Sequence, residues 1–326
     1  MRGRGYSVGL LVLFAASVVL SAQNKNFEAE KNRLGQEAVK ARAALGLELL
    51  DPKLDKLYPY SQIPPVKVQK LAPGTSTAVA LTGKFPPNVA VLSERDGAVL
   101  SGAAVSATSY SARITIGATE GPGFVKLWAI TPVHFVWTTV PVVFIDVVYR
   151  FDLKSPNGYT VKATPLAKSF TVDDRPEGRS FNTATLPYKV EFFKPGETAP
   201  FETREGSMRY MSDQDRGSRL DIEMPEPEKG AAKELDELMK KMSDPKLTDA
   251  QRNDLTVKMI QAQQRMMEEL TKADPAADQK RKDQFGCNMI QVYPGAAGAV
   301  EGGVACGKNI APTGSLRVTG TVTQVK

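Results

Sequence analysis

The fold class of this chain is decided by a short stretch, AVALTGKFPPNVAVLSERDGAVL, at residues 78–100. Short runs rich in aliphatic and β-branched residues, divided by proline, asparagine and glycine, are typical of β-strands. Asp96-Gly97 also predicts a type I′ hairpin, because glycine accepts the positive φ that this turn requires. Three strands are therefore expected here, at 78–82, 89–92 and 98–100.

Similar runs continue along the chain at intervals of about ten residues, without helices between them, which is typical of antiparallel sandwiches. A length of 326 residues predicts two domains. We expect a mainly β protein with further strands at 111–116, 124–131, 142–153, 159–163, 170–172, 188–193, 204–211, 220–224, 287–293, 300–306 and 315–325.

Several short motifs in residues 66–133 resemble the bacterial Ig-like modules of the IPT/TIG type. In that family a strand closes on a Gly-x-Phe corner, which matches Gly83-Lys84-Phe85 here. A Pro-Gly turn launches the last strand, which matches Pro122-Gly123. The resemblance implies an Ig-like sandwich and no active site, because such modules share none. The remaining motifs that carry it are Pro73-Gly74, 79–82, 105–108 and 124–125.

The N-terminus has the pattern of a Sec-type signal peptide at residues 1–22. Arg2 and Arg4 precede an uncharged apolar run from Val8 to Leu20, which ends in small residues. The run is shorter than the ~20 residues of a membrane-spanning helix, so cleavage is favoured over an uncleaved anchor. Gln23 stands where a lipoprotein would have cysteine. We therefore expect a secreted or periplasmic protein with no stable membrane span after cleavage.

Residues 23–65 are expected to form a helix and an extended linker. The helix spans about 24–50, and Asp51-Pro52 ends it, since proline disfavours helical geometry in the preceding residue. Its predicted apolar stripe consists of Leu34, Ala38, Ala41, Leu45 and Leu49, with Phe27 two turns before them.

The two cysteines, Cys287 and Cys306, are expected to form a disulfide, because an isolated pair in an exported protein is most simply oxidised. The closed loop of about 20 residues gives roughly 3 kcal/mol by the chain-entropy estimate. Free thiols or a two-thiolate metal site are the alternatives. The single histidine, His134, is too distant in sequence to favour zinc, and its apolar neighbours favour a core or edge residue over a general base.

A second domain at 134–326 is expected to carry an inserted helical hairpin at about 228–284, a segment without aromatic residues. Apolar residues at helical spacing predict helices at 232–242 and 249–272. A capping box, Thr248-x-x-Gln251, begins the second helix. Asp244-Pro245-Lys246 would connect the two.

The methionines of this hairpin allow two interpretations. Met239 and Met242 are candidate Cu(I) ligands, because thioethers suit a soft cation. Filling of the seam between the helices is the simpler alternative. Met259, Met266 and Met267 are candidates for contacts with a partner protein or a second copy, so self-association through the hairpin is possible.

Asp213 and Asp215 resemble the start of a calcium loop, although Met224 stands where the twelfth-position acid would be. A plain polar turn is the alternative.

The stretch 128–145 has no Asp, Glu, Lys or Arg, but Pro132 and Pro141 interrupt it. It predicts two buried strands joined at proline-containing bends, and not a membrane helix.

These features favour a non-catalytic binding or scaffold protein of the cell envelope, without a cofactor. Its partner would be an envelope protein or a polysaccharide. The net charge of +6 does not indicate nucleic-acid binding, because no Lys/Arg cluster with interleaved aromatic residues accompanies it. The alternatives are a polymer-degrading hydrolase that uses carboxylates of the second domain and a methionine-based copper-handling protein.

Overall fold

The computed structural model describes residues 27–49, 51–173, 182–211, 219–224, 230–242, 247–272, 287–294, 298–307 and 310–325. Over these residues the chain is mainly β, as expected. The predicted signal peptide, the calcium candidates Asp213 and Asp215, and the connection at 244–246 lie outside them. No helix within the described residues is long and apolar enough to cross a membrane.

Contacts divide the chain into two compact units that are not contiguous in sequence. The first unit comprises Met1–Pro64, Gly74–Gly117 and Leu127–Val140. The second unit comprises Pro65–Pro73, Ala118–Lys126 and Pro141–Lys326. The domain boundaries expected from composition remain predictions.

In the first unit, three strands form an antiparallel sheet in the order β2-β5-β4. In β5 every second residue is buried, from Tyr110 to Ile116, because successive side chains of a strand point to opposite faces. Burial raises the pKa of Tyr110 to about 12. Strand β3 pairs antiparallel with residues 127–130 of β6. The bounds are β2 (Ser76–Thr82), β3 (Ala90–Ser93), β4 (Ala98–Val105), β5 (Ser109–Ile116) and β6 (Gly123–Thr131).

The predicted Asp96-Gly97 hairpin is wrong. Strand β3 pairs with β6 whereas β4 pairs with β5, so the turn between β3 and β4 leads from one sheet to another. Gly97 lacks the positive φ of a type I′ turn. The Asp96 carboxylate instead accepts a hydrogen bond from the backbone N–H of Phe27, 2.7 Å away. Tertiary packing has overridden the local turn signal.

The second unit contains eight antiparallel strands that close on themselves into a barrel. Each strand pairs with the next one in the series, and β16 pairs with β8 to complete the ring. Closure leaves no free edge between these strands. The short strand β10 (Thr171–Asp173) pairs with β11 outside the ring. The eight strands are β8 (Val148–Lys154), β9 (Thr160–Pro165), β11 (Thr183–Phe193), β12 (Glu202–Met211), β13 (Leu220–Glu223), β14 (Cys287–Pro294), β15 (Ala299–Cys306) and β16 (Ser315–Val325).

Buried aromatic rings pack beside the barrel strands. Strand β1 (Gln69–Leu71) pairs parallel with residues 143–145 of β7 (Val136–Ile145), which places Phe144 in the core of the second unit. The Phe144 ring lies 5.0 Å from the rings of both Phe124 and Phe170. Large buried aromatic side chains of this kind dominate the stability of a core.

Two helices interrupt the barrel between β13 and β14: α3 (Gly230–Met242) and α4 (Asp249–Lys272). The predicted capping box is confirmed, because Thr248 Oγ1 accepts from Gln251 N–H and Gln251 Oε1 accepts from Thr248 N–H. Leu238 of α3 packs with Leu255 and Ala262 of α4. The predicted helical segment therefore exists and has its own small core.

Candidate functional site

Four aromatic rings of the first unit form a surface cluster, which we call the aromatic platform. Phe27 belongs to helix α1 (Phe27–Ala44), Trp128 to β6 and Trp137 to β7, and Phe135 precedes β7. The centroids of the Trp128 and Trp137 rings are 5.4 Å apart. Phe27 lies 5.3 Å from Trp128, and Phe135 lies 5.8 Å from Trp137. Both tryptophans of the chain are in this platform.

The position of Trp137 corrects the expectation of two fully buried strands. Its side chain is 45% exposed, and Thr139, two residues further along β7, is exposed too. Alternate residues of a strand share a face, so these two side chains lie on one face of β7. Pro132 lies at the bend between β6 and β7, whereas Pro141 lies inside β7. This stretch is therefore apolar in composition but includes one large aromatic ring that is exposed.

Lys31 of α1 places its ammonium group over the platform. The Nζ atom lies 4.7 Å from the centroid of Trp128, 5.5 Å from that of Phe27 and 5.7 Å from that of Trp137. Distances under about 6 Å allow a cation–π attraction. On the indole edge, Trp128 Nε1 donates a 2.8 Å hydrogen bond to Glu94. The Trp128 ring is held by a cation on its face and a carboxylate at its edge.

Helix α1 is attached by the predicted apolar face over the length of the helix. Ala38 and Arg42 are buried and Leu34 packs partly buried against the cluster of Phe27, Leu92 and Ile130, whereas Leu45 and Leu49 of the predicted stripe are exposed. Leu45 and Leu49 lie beyond the last residue of the helix, Ala44, so the helical spacing does not apply to them.

Two contacts, one at the middle of α1 and one near its C-terminal end, fix the helix to the loop between β6 and β7. The Arg42 guanidinium donates a 2.5 Å hydrogen bond to the carbonyl oxygen of Val133. Gly35 faces the Phe135 ring, where an added Cβ would lie 3.2 Å from Cζ. A larger residue at Gly35 would have to displace the ring.

The loop itself has an uncommon backbone. Val133 and Phe135 have φ values of 66° and 53°. A positive φ is rare in a β-branched residue and costs of order 1–3 kcal/mol, so surrounding contacts must hold it. His134, between them, is half-buried with Nδ1 3.5 Å from an Asp55 carboxylate oxygen. Asp55 lies on the short helix α2 (Lys53–Leu57).

Replacing Arg42 by alanine is expected to release the second half of α1, because the Val133 carbonyl would lose its charged donor. The free energy that holds this part of the helix in place is expected to fall by about 2 kcal/mol, because a hydrogen bond from a charged, buried group is lost. Hydrogen exchange of the amides at 38–44 and tryptophan emission would report it. Arg33→Ala is the matched control, since Arg33 pairs with Glu30 and Glu37 at the surface. Equal effects from the two variants would contradict this role of Arg42.

A separate shallow pocket of about 490 Å³, open to solvent, lies in the first unit. A backbone bridge joins Gln62 to Lys84, with hydrogen bonds of 3.0 and 2.8 Å. Between them, an added Cβ at Gly83 would lie 2.2 Å from the Gln62 carbonyl oxygen, so the bridge needs glycine there. The lining residues, Gln62, Ile63, Pro64, Gly83, Lys84 and Thr138, contain no carboxylate or histidine.

The predicted disulfide is confirmed. Cys287 and Cys306 are bonded at 2.04 Å and are cross-strand partners in β14 and β15.

The candidate copper ligands differ in environment: Met239 is exposed, and Met242 packs partly buried against the core between the helices. Met259 packs against the same core, Met266 is half-buried, and Met267 is 57% exposed. Across the described ranges, no group of three or more His, Cys, Asp or Glu side chains could hold a metal ion.

One carboxylate of the second unit has a shifted pKa. Burial raises the pKa of Asp221 on β13, and the charge of Glu223 adds to this, whereas the nearby Arg219 opposes it. Arg219 Nε lies 2.9 Å from Asp221 Oδ1. The hydrolase alternative, which stays a prediction, would rely on such a residue as its acid.

Comparisons with known proteins add little. No protein-family model matches the chain, and no curated protein matches its sequence. The crystal structure of the titin domains z1z2 in complex with telethonin is similar over 46% of this chain and 94% of that chain, with 11% identity and a TM-score of 0.20. A similarity at this level carries no argument here. The β-rich structure itself is consistent with an Ig-like fold, and no matching family model supports the IPT/TIG type in particular.

Sequence reasoning missed the aromatic platform, although a signal was present. Trp137 is followed by Thr138 and Thr139 in an otherwise aliphatic run, so the first half of β7 is less apolar than the second. The contribution of Lys31 had no such signal, because α1 is about 100 residues away in sequence. Only tertiary packing brings these side chains together.

Proposed function

We propose that the protein is an exported, non-catalytic binding or scaffold protein of the cell envelope, and that the aromatic platform binds a polysaccharide. The observation that carries this proposal is the exposed indole of Trp137, which is packed on a second tryptophan. An indole offers a flat apolar face on which the C–H face of a sugar ring can stack. Polar groups beside the indole can form hydrogen bonds with the hydroxyl groups of the sugar. Lys31 and Thr139 are the polar groups available.

Rigidity supports this assignment. Trp128 and Trp137 lie on strands, and the ring of Trp128 is restrained by Lys31 and Glu94. A stacking surface that is already ordered loses little conformational entropy when a ligand binds. The disulfide supports export, since structural disulfides form and persist in oxidising compartments.

We further propose that the first β unit follows the Ig-like plan of the IPT/TIG modules. Its support is the strand order, because β2, β5 and β4 share one sheet while β3 pairs with β6 in another, as in immunoglobulin-type sandwiches. Phe85 of the Gly-x-Phe corner is buried, and Gly123 begins β6. An experimental structure with β2, β4 and β5 in different sheets would remove this assignment.

Binding to purified envelope polysaccharide tests the proposed function. Trp137→Ala is expected to weaken binding of the protein to insoluble peptidoglycan or to a neutral glucan at least about ten-fold, which corresponds to ~1.4 kcal/mol. Tyr293→Ala is the matched control, because Tyr293 is an equally exposed aromatic residue on the second unit. Tryptophan emission follows the titration directly, since both tryptophans are in the platform. Absence of binding by the unchanged protein, or an equal loss in both variants, contradicts the proposal.

Export has its own test. A fusion in which the N-terminal segment of this chain precedes an enzyme that is active only outside the cytoplasm is expected to show that enzyme's activity. The mature chain is expected to begin at Ala22 or Gln23. A mature chain that retains Met1 and is recovered from the cytosol would contradict the envelope role but leave the binding assay interpretable.

A further inference from the structure

Helix α4 carries two apolar stripes on opposite faces. The inner stripe contains Leu255 and Ala262 and packs against Leu238 of α3. The outer stripe contains Val257, Ile260 and Met267, which are 53%, 50% and 57% exposed. At 100° per residue these three side chains lie about half a turn away from the inner stripe. Among the described residues, burial against α3 therefore accounts for one face of α4, and the other face is exposed.

The outer stripe has the spacing of a coiled-coil seam. Counting from Ala250, its positions follow at intervals of three and four residues, as the a and d positions of heptads do. All six side chains are exposed, and none is charged. These positions, which we call the outer seam, are Ala250, Asn253, Val257, Ile260, Gln264 and Met267.

The outer seam is complementary to itself in the antiparallel direction. A two-fold axis between Lys258 and Met259 sets Val257 opposite Ile260 of a second copy. The same axis sets Asn253 opposite Gln264, and Ala250 opposite Met267. Apolar residues then face apolar residues, an amide faces an amide, and a small residue faces a large one. Each layer joins an a position to a d position, which is the arrangement expected of antiparallel helices.

The charges around the outer seam also favour a second copy. Lys258 lies 2.6 Å from Asp254, and Arg265 lies 2.7 Å from Glu234, so these charges are paired within one chain. In the antiparallel arrangement Asp254 lies beside Gln261 of the second copy and meets no like charge. The outer seam is therefore neutral, and the charged side chains beside it are paired within the same chain. Such a surface is complementary to an identical surface and less so to a strongly charged partner or an anionic lipid surface.

We propose that the protein forms an isologous homodimer in which the outer seams of two α4 helices pair antiparallel. The inference goes beyond the proposed function and does not depend on the ligand of the aromatic platform. It assigns the self-association expected from the sequence to specific residues: Met267 contributes to the contact, whereas Met259 belongs to the inner core. The amide pair Asn253–Gln264 fixes the register, as single polar residues do in coiled coils.

Sedimentation of the full-length mature protein measures the association. The unchanged chain is expected to have the mass of two chains at tens of micromolar. Ile260→Glu and Val257→Lys are each expected to raise the dimer dissociation constant at least about 100-fold, because each buries a charge opposite an apolar side chain. Val39→Glu is the control, since Val39 is an equally exposed valine on α1. A monomer at every concentration for the unchanged protein overturns the proposal.

Mixing the variants separates loss of the interface from misfolding. In the antiparallel register residue 257 of one chain faces residue 260 of the other, so an equimolar mixture of Val257→Lys and Ile260→Glu is expected to restore a heterodimer. A mixture of Asn253→Cys and Gln264→Cys is expected to cross-link, whereas Asn253→Cys alone is not. A cross-link in Asn253→Cys alone would indicate parallel helices, and failure of both mixtures would reject this pairing.

Discussion

Gly320→Ala is expected to open the barrel of the second unit and to lower its free energy of unfolding by at least about 3 kcal/mol. Gly320 lies in β16, opposite Leu153 of β8, at the pairing that completes the ring. An added Cβ would lie 2.0 Å from the carbonyl oxygen of Asp152 and 2.9 Å from the Cα of Leu153. Backbone atoms cannot rotate away as a flexible side chain can, so the two strands would have to separate.

Gly303→Ala in β15 is the matched control. A Cβ there would meet the Ser315 hydroxyl oxygen at 3.0 Å, and the next nearest atom is 3.7 Å away. Because a serine side chain can rotate, we expect a change within about 1 kcal/mol. Gly302→Ala should resemble Gly320→Ala, since its Cβ would lie 2.0 Å from the Gln291 carbonyl oxygen. Urea unfolding followed by far-UV circular dichroism measures all three. Equal midpoints for Gly320→Ala and Gly303→Ala would show that β16 and β8 are not so closely paired.

Reducing the Cys287–Cys306 disulfide is expected to lower the free energy of unfolding of the second unit by about 3 kcal/mol. The bond closes a loop between residues 19 apart in sequence, which restricts the unfolded chain. It joins β14 to β15 directly after the helical insertion, so its loss should also weaken the strand pairing at that end of the barrel. The unfolding midpoints of the oxidised and reduced proteins measure the effect.

The reduced protein is a better comparison than a double alanine variant. Both sulfur atoms remain in the core after reduction, so only the covalent link changes, whereas alanine would also remove buried volume. Alkylation after unfolding in denaturant gives an independent result, because both cysteines are then accessible and no free thiol should react in protein isolated without reductant. Two alkylated thiols would contradict both the link and the compartment that it indicates, whereas identical midpoints would contradict the expected stabilisation.

Local patterns in the sequence predicted much of the secondary structure. The helix over 249–272 and its capping box could be predicted because Thr248 and Gln251 contact each other within one turn. The disulfide could be predicted because two cysteines allow a single intramolecular pairing. Strand positions followed from runs of β-branched residues bounded by turns. Each of these inferences depends on residues that are close in sequence or on a choice with few alternatives.

The candidate site was much less predictable. The periodicity of α1 predicted the packed face that contains Leu34 and Ala38, but it did not indicate the hydrogen bonds that fix the helix to Asp96 at its first residue and, through Arg42, near its end. Lys31 would ordinarily be assigned to a solvated helix face, but it lies over two tryptophans that are about 100 residues away. The contacts of a charged side chain depend on which residues the fold brings near it. Hydrophobic spacing along the helix does not indicate those residues.

By itself, the sequence determined that the chain is mainly β, where α3 and α4 lie and which cysteines are joined, because hydrophobic period, turn residues and a single cysteine pair act locally. The tertiary structure alone decided that eight strands close into a ring, that β3 and β4 belong to different sheets, and that Trp137 is exposed. Strand alternation specifies which side chains share a face, but it does not name the partner strand. That choice is made by packing among residues far apart in the chain, and it also left the outer seam of α4 uncovered.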